Sequence, residues 1–205
     1  MISYAFLPRY CWAYSLYPQV FIIDDTASMR DYWSDLCRLF EILGYLVKKS
    51  DGDGIDMYFT MTEKKYNSKD ISGLVEILKK RKNSLGDSNI NYRLANILED
   101  YCRSLKNEHE LRGGGSRSGP ADGKKPLSVY IFTNALWSPK SGLTIVIKNV
   151  VNNLIKLGYP SSQVGIEFIS FGDNPETLTR LEYYASGLGL EMYTSETIQG
   201  LRVLC

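Results

Sequence analysis

The sequence predicts a doubly wound α/β fold, with a mainly parallel β-sheet flanked by helices on both faces. Three observations carry this expectation. Short apolar runs without interruption, such as Val20-Phe21-Ile22-Ile23, have the character of strands buried on both faces. Longer segments place apolar residues at three- and four-residue steps, the stripe of a helix packed on one side. The two patterns alternate along the chain, which gives crossover units and hence parallel strands. With 205 residues, 44% of them hydrophobic, one domain with a sizeable core is the natural count.

Taken in order, residues 1–19 read as an N-terminal extension and 20–205 as the domain. The first strand is the run at 20–23. Met29, Trp33, Leu36, Cys37, Phe40, Leu43 and Val47 then form one apolar stripe of a helix. The stretch 50–54 (SDGDG) is a turn, and 55–61 (IDMYFTM) is a second strand. A helix over 70–82 turns Ile71, Leu74, Val75 and Leu78 to one face. Another over 92–105 places Leu94, Ile97, Leu98, Tyr101 and Leu105 inward.

From 107 to 126 the composition shifts to Gly, Ser, Arg and Lys. Its GGGSRSGPADGKK stretch buries too little to order itself, so the segment is expected to be a flexible surface insertion. A strongly buried strand follows at 128–133 (SVYIFT). Next come a helix near 143–157, a strand at 164–171 (VGIEFISF), a short helix at 175–186 and a strand at 190–193. Residues 196–205 have the pattern of a helix that stops early. The runs at 20–23, 128–133 and 164–171 are expected to lie side by side, parallel, in the middle of the sheet.

The balance of 24 Lys and Arg against 23 Asp and Glu gives no preference for nucleic acid. No stretch approaches the roughly 20 apolar residues of a membrane-spanning helix. The start, MISYAFLPRYCW, lacks a basic n-region and is broken by Pro8 and Arg9, so no secretory signal is read. Cys11, Cys37, Cys102 and Cys205 show no Cys-x-x-Cys spacing, and the single histidine is His109. Reduced, mostly buried thiols in a cytoplasmic protein are expected, without a zinc site.

In an open parallel sheet, ligands bind at the carboxyl ends of the strands. The first strand is followed by Asp24-Asp25-Thr26-Ala27-Ser28-Met29, and the central one by Thr133-Asn134-Ala135. Gly86-Asp87-Ser88-Asn89-Ile90 precedes the helix near Tyr92. These clusters offer hydroxyls, a carboxylate and an amide, hard oxygen ligands that suit Mg²⁺ better than a thiophilic metal.

Asp24-x-Thr26-x-Ser28, between VFII and a helix, resembles the Asp-x-Ser-x-Ser motif of the von Willebrand factor A family. GIDMYFTM, NINYRLANILEDY, KPLSVYIFTNALWSP and QVGIEFISFG extend the resemblance over nearly the whole chain. They look like the fungal, intracellular-type branch of that family. The resemblance implies a Rossmann-like sheet and a metal-ion-dependent adhesion site. It maps Asp24, Thr26 and Ser28 onto the first-loop ligands and Ser88 onto the second-loop threonine, with Asn89 the next candidate. Asn134 falls where the family usually has an aspartate.

That last change removes one of two carboxylates. A charge pair at about 4 Å and an effective dielectric of about 20 is worth on the order of 4 kcal/mol before desolvation. A fraction of it costs a decade or more of affinity, so weak Mg²⁺ binding at a degenerate site is expected. The bland alternative is a relic, in which Asp24 and Ser28 cap the helix and Asn134 satisfies their hydrogen bonds. Asp25 is expected to point away from the site.

Leu136 and Trp137 follow Asn134 and are expected at its rim as partner-binding residues. The alternative for Trp137 is packing over the neighbouring helix. Two other features are discounted. Asp51-Gly-Asp53-Gly-Ile-Asp56 lacks calcium-loop spacing and reads as a tight turn. Lys79-Lys80-Arg81-Lys82 ends a helix, where cations oppose the dipole, and reads as a solvated terminus.

The resemblance implies a non-enzymatic protein-interaction module. The rival class is a hydrolase or a nucleotide- or phosphate-binding protein on the same kind of sheet. Against the rival, there is no Gly-x-Gly-x-x-Gly, Walker or Gly-x-Ser-x-Gly motif, and the one histidine lies in the expected loop.

Overall fold

The computed structural model describes residues 18–48, 54–111, 125–138, 142–185 and 201–204. Six strands form one sheet: β1 (Gln19–Ile23), β2 (Ile55–Phe59), β3 (Lys65–Ser68), β4 (Leu127–Thr133), β5 (Val164–Ser170) and β6 (Leu201–Leu204). Their order is β3-β2-β1-β4-β5-β6. All neighbours are parallel except β2 and β3. The helices are α1 (Trp33–Lys48), α2 (Ile71–Lys80), α3 (Ile90–Leu111), α4 (Leu143–Lys156) and α5 (Pro175–Ala185). A 3-10 helix, Ala27–Tyr32, leads into α1.

The fold class read from the sequence is the one observed, and β1, β4 and β5 are the expected parallel neighbours. The pleat divides their side chains between two cores. Phe21 and Ile23 of β1 and Tyr130 and Phe132 of β4 join Leu36, Phe40, Leu74 and Leu78 of α1 and α2. Val20 and Ile22, with Val129 and Ile131, face the other way, onto Leu94, Leu98, Ile147, Leu154 and Leu181 of α3, α4 and α5. Within the first core Phe21 stacks on Tyr130 and meets Phe40 edge-on, with ring centroids 4.9 and 5.1 Å apart.

Local signals set the helix ends. Asp70 Oδ1 accepts the Ser72 N–H at 3.2 Å and caps α2. Gly172 turns the chain after β5 at φ +90, where an added Cβ would meet Tyr32 Oη at 2.7 Å.

Two expectations are corrected. Of the insertion expected at 107–126, residues 107–111 are the end of α3, and residues 112–124 lie outside the described residues. Residues 106–111 (KNEHEL) are mostly good helix formers, and Lys106 and Glu110 pair one turn apart at 3.8 Å. Leu201–Leu204 form an edge strand on β5 rather than part of a helix. The open edge of β5 offers these residues a row of backbone donors and acceptors to pair with. Strand β3 was not foreseen. Its sequence, KYNS, is polar because it is a sheet edge, antiparallel to β2. The turn at 50–53, the strand expected at 190–193, and Cys11 and Cys205 lie outside the described residues.

Candidate functional site

The carboxyl ends of β1 and β4 bring the first polar cluster together. The Asp24 N–H bonds the Phe132 carbonyl at 2.9 Å, so the sheet holds the chain one residue beyond β1. The Asp24 side chain is then enclosed, with the residue 1% exposed. Its Oδ1 accepts the Thr26 N–H at 3.2 Å and the Thr26 hydroxyl at 2.9 Å. Its Oδ2 accepts the Thr133 hydroxyl at 2.8 Å. Burial raises the Asp24 carboxyl above its ordinary value, against the lowering effect of the bonds from Thr133 and Thr26.

Thr26 Oγ1 also lies 2.9 Å from Ser28 Oγ, which lies 3.3 Å from Asn134 Oδ1. The Asn134 amide is oriented by its Nδ2, which donates to the Ser28 carbonyl at 3.0 Å. Asp24, Thr26, Ser28 and Asn134 are therefore one connected set. The chain from Asp24 through Thr26 and Ser28 to Asn134 has three oxygen–oxygen contacts but only the two hydroxyl protons of Thr26 and Ser28. The contacts of 2.9–3.3 Å match neighbouring ligands around an octahedral Mg²⁺, about 3 Å apart. The set fits a hard cation in oxygen type and spacing, with one carboxylate to balance it. Among the described residues no group of three or more His, Cys, Asp or Glu is placed to hold a metal.

Ser88 is not joined to this set by a hydrogen bond. It is 7% exposed, just ahead of α3, and its Oγ has no hydrogen-bond partner among the described residues.

Asp25 is turned to the other face, and sequence reasoning missed its partner. The residue is wholly buried; its Oδ2 takes Arg81 Nε at 2.7 Å and also Arg81 Nη2. Its Oδ1 takes the Met61 N–H at 2.9 Å and the Thr60 hydroxyl at 3.2 Å. The Thr60 hydroxyl also lies 3.4 Å from Asp24 Oδ1, so it straddles both carboxylates. The Arg81 guanidinium rests over Phe59, 4.7 Å from the ring centroid. Around this clamp, Ala27 N–H bonds Ser84 O and Ser84 N–H bonds Asp25 O, both at 2.8 Å. Asn83 Nδ2 adds a bond to Thr26 O at 3.0 Å. Of the basic run, Lys80 pairs with Glu76 at the surface, whereas Arg81 is an interior tie between α2 and the first loop.

The loop after β4 is held as firmly. Ala135 has φ 56, a left-handed conformation that costs a non-glycine residue on the order of 1 kcal/mol. Its N–H bonds Thr133 Oγ1 at 2.9 Å, and the Leu136 N–H bonds Asn134 Oδ1 at 3.2 Å. Arg180 Nη1, from α5, donates to the carbonyls of Ala135 and Trp137, each at 2.8 Å. Leu136 is left 52% exposed beside the polar cluster. Trp137 is 2% exposed and packs in the core with Leu143 and Ile147, so it presents no ring to a partner. The turn of the chain at Ala135 sends successive side chains in opposite directions. Arg180 carried no sequence signal, because it acts on backbone carbonyls of a distant element.

Cys37 and Cys102 are buried free thiols, and burial pushes both above the ordinary thiol value.

No family model matches the sequence, and no curated protein matches it. Similar solved structures include proximal thread matrix protein 1 from the mussel byssus. One crystal structure of it is 11% identical with a TM-score of 0.45, covering 93% of this chain and 43% of the other. A second crystal form is 12% identical with a TM-score of 0.44, covering 80% and 40%. The chain thus spans less than half the length of the mussel protein. The N-terminal domain of TFIIH p34 is 9% identical with a TM-score of 0.46, covering 93% of this chain and 91% of that domain. The chain itself is a mainly parallel α/β sheet whose carboxyl edge gathers Asp24, Thr26, Ser28 and Asn134.

Proposed function

We propose that the chain is a non-enzymatic protein-interaction module of the von Willebrand factor A type, working through the carboxyl edge of its sheet. The observation that carries the reading is the loop after β4. A left-handed alanine, a buried hydroxyl and the Arg180 clamp hold Leu136 outward, next to the polar cluster. A large apolar side chain fixed at the rim of a polar centre is a suitable anchor for a partner, because little entropy is lost on docking. Leu85, 86% exposed, follows Ser84, which bridges to Thr26 of the same cluster.

Asp24, Thr26, Ser28 and Asn134 would hold a divalent cation here, and Ser88 is assigned no part in it. A bound Mg²⁺ would supply a Lewis-acidic centre for a partner's oxygen. With one carboxylate, affinity is expected to be weak, and the neutral Asn134 amide serves mainly to orient Ser28.

The test is affinity capture from native extract with wild type and Leu136→Asp, each with and without chelator. Leu136 is exposed, so the variant should keep the wild-type melting temperature within a degree or two while losing its captured partner. Equal capture by the two proteins would remove the rim from the interaction.

A further inference from the structure

Helix α1 carries two apolar faces, and the described fold buries one of them. Leu36, Cys37, Phe40 and Val47 are buried in the core beneath it. Gly44 is closed off by α2, since a Cβ there would meet Ile71 Cγ2 at 3.2 Å. At about 100° per residue, the flank opposite Gly44 carries Leu39, Ile42, Leu43 and Leu46, at the i, i+3, i+4, i+7 spacing of a packing seam. Leu39 and Leu43 are half-buried, whereas Ile42, Leu46 and the adjacent Tyr45 are 42, 42 and 48% exposed. Large apolar side chains gathered in one place on a surface mark an interaction site.

The seam sits toward the amino edge of the sheet. Helix α1 connects the parallel strands β1 and β2, so it runs back toward the edge where both begin. Val47 accordingly shares a core with Ile55, the first residue of β2. At the same edge the Pro18 carbonyl accepts the Ser128 N–H at 3.1 Å. The described chain begins at Pro18, so the segment 1–17 joins the domain at the edge where the seam lies. That segment, MISYAFLPRYCWAYSLY, has 13 apolar or aromatic residues among its 17, and Arg9 is its one charged side chain. Tyr10, Trp12, Tyr14 and Leu16 alternate with Cys11, Ala13 and Ser15, large with small, a period of two that gives an extended chain one bulky apolar face.

We infer that residues 10–17 dock on this flank of α1, with Trp12, Tyr14 and Leu16 over Leu39, Ile42, Leu43 and Leu46. The length suffices: from Trp12 to Pro18 an extended chain spans about 20 Å, and packed layers lie about 10 Å apart. The tether favours this occupant over a free partner, because a segment on a short link is present at an effective concentration in the mM range. The two surfaces also match in chemistry. Residues 10–17 and the four seam residues include no charged side chain, so docking desolvates no ion. The seam lies toward the opposite edge of the sheet from Leu136, and its failure would leave the reading of that rim untouched.

The test uses the whole chain with p-benzoylphenylalanine in place of Tyr45, irradiated in dilute solution and digested for mass spectrometry. The expected product is a link within one chain between position 45 and residues 10–17. A link between two chains would assign the seam to a second copy and overturn the inference, as would a link only to other parts of the chain, or none. Chymotrypsin, which cuts after aromatic residues, gives a second readout. Ile42→Glu combined with Leu46→Glu places charges at exposed positions, so the fold should be kept, which far-ultraviolet circular dichroism checks. Cleavage after Tyr10, Trp12 and Tyr14 should then be about tenfold faster or more than in wild type, because only the undocked population is cut. Equal cleavage rates in the two proteins would overturn the docking.

Discussion

Replacing Asp25 by Asn tests whether the interior tie to Arg81 holds the first loop in place. The carboxylate is wholly buried and Arg81 keeps 21% of its side chain exposed. Breaking a buried ion pair by removing one partner costs about 3–5 kcal/mol, and the residual exposure of Arg81 places the loss near the lower end, about 3 kcal/mol. The amide also presents a donor to a site where four donors already converge, from Arg81, Met61 and Thr60. For a chain of this size 1 kcal/mol moves the midpoint by about 2–4 °C, so the variant should melt about 6–12 °C lower. Urea unfolding gives the free energy, and Arg81→Met with the double variant closes a mutant cycle. The double variant should be more stable than the sum of the single losses predicts, since it leaves no lone buried charge. Hydrogen exchange should show the amides of Ala27 and Ser84 losing protection in Asp25→Asn, because those two bonds close the loop around the clamp. A loss under about 1 kcal/mol, or strict additivity in the cycle, would refute the clamp.

Asn134→Asp should tighten Mg²⁺ by a decade or more and destabilise the metal-free protein, since a second carboxylate then faces Asp24. Calorimetry across a magnesium series checks it, and unchanged affinity would refute the charge argument. The raised Asp24 carboxyl binds its proton more tightly folded than unfolded. Its contribution is therefore fully present below the unfolded value of 3.8 and is lost as pH rises through the raised folded value. Unfolding curves should show wild type losing stability relative to Asp24→Asn as pH rises above 3.8, and a difference constant with pH would contradict this. Tyr101→Phe removes a bond to the Lys125 carbonyl at 2.8 Å and one from Gln163 Nε2 at 2.7 Å. It should cost about 1–3 kcal/mol by urea unfolding.

The sheet was legible because burial on both faces leaves a plain mark. Val20-Phe21-Ile22-Ile23 has no polar residue to interrupt it, and the adjacent β4 is buried along its whole length. Edges leave no such mark. KYNS of β3 is polar and short, and LRVL of β6 is equally compatible with a helical turn, so their pairing is decided by the neighbouring strand. The polar cluster was legible where its members are local: Asp24, Thr26 and Ser28 alternate in three positions after a strand. Arg81, Arg93 and Arg180 were not. Each bonds an element 30 or more residues away, and a basic side chain in sequence looks the same whether it ends in solvent or in the interior.

Asp24 and Asp25 show how adjacent identical residues take opposite roles. The pleat that sends Ile22 toward α3 and Ile23 toward α1 continues past the end of β1. Asp24 accordingly meets Thr133 on one side, and Asp25 meets Arg81 at the end of α2 on the other. A site with two carboxylates facing each other needs a cation to hold its loops together, because like charges in a buried space repel. Here the second carboxylate of the first loop is drawn off to a guanidinium, and a neutral amide stands across from Asp24. Asn134 ties the end of β4 to Ser28, Asp25 ties the first loop to α2, and Arg180 ties the next loop to α5. These three cross-links within the chain tie the edge to its neighbouring elements. The geometry of the rim is therefore set by the chain itself, and the position of Leu136 should be insensitive to whether Mg²⁺ is present.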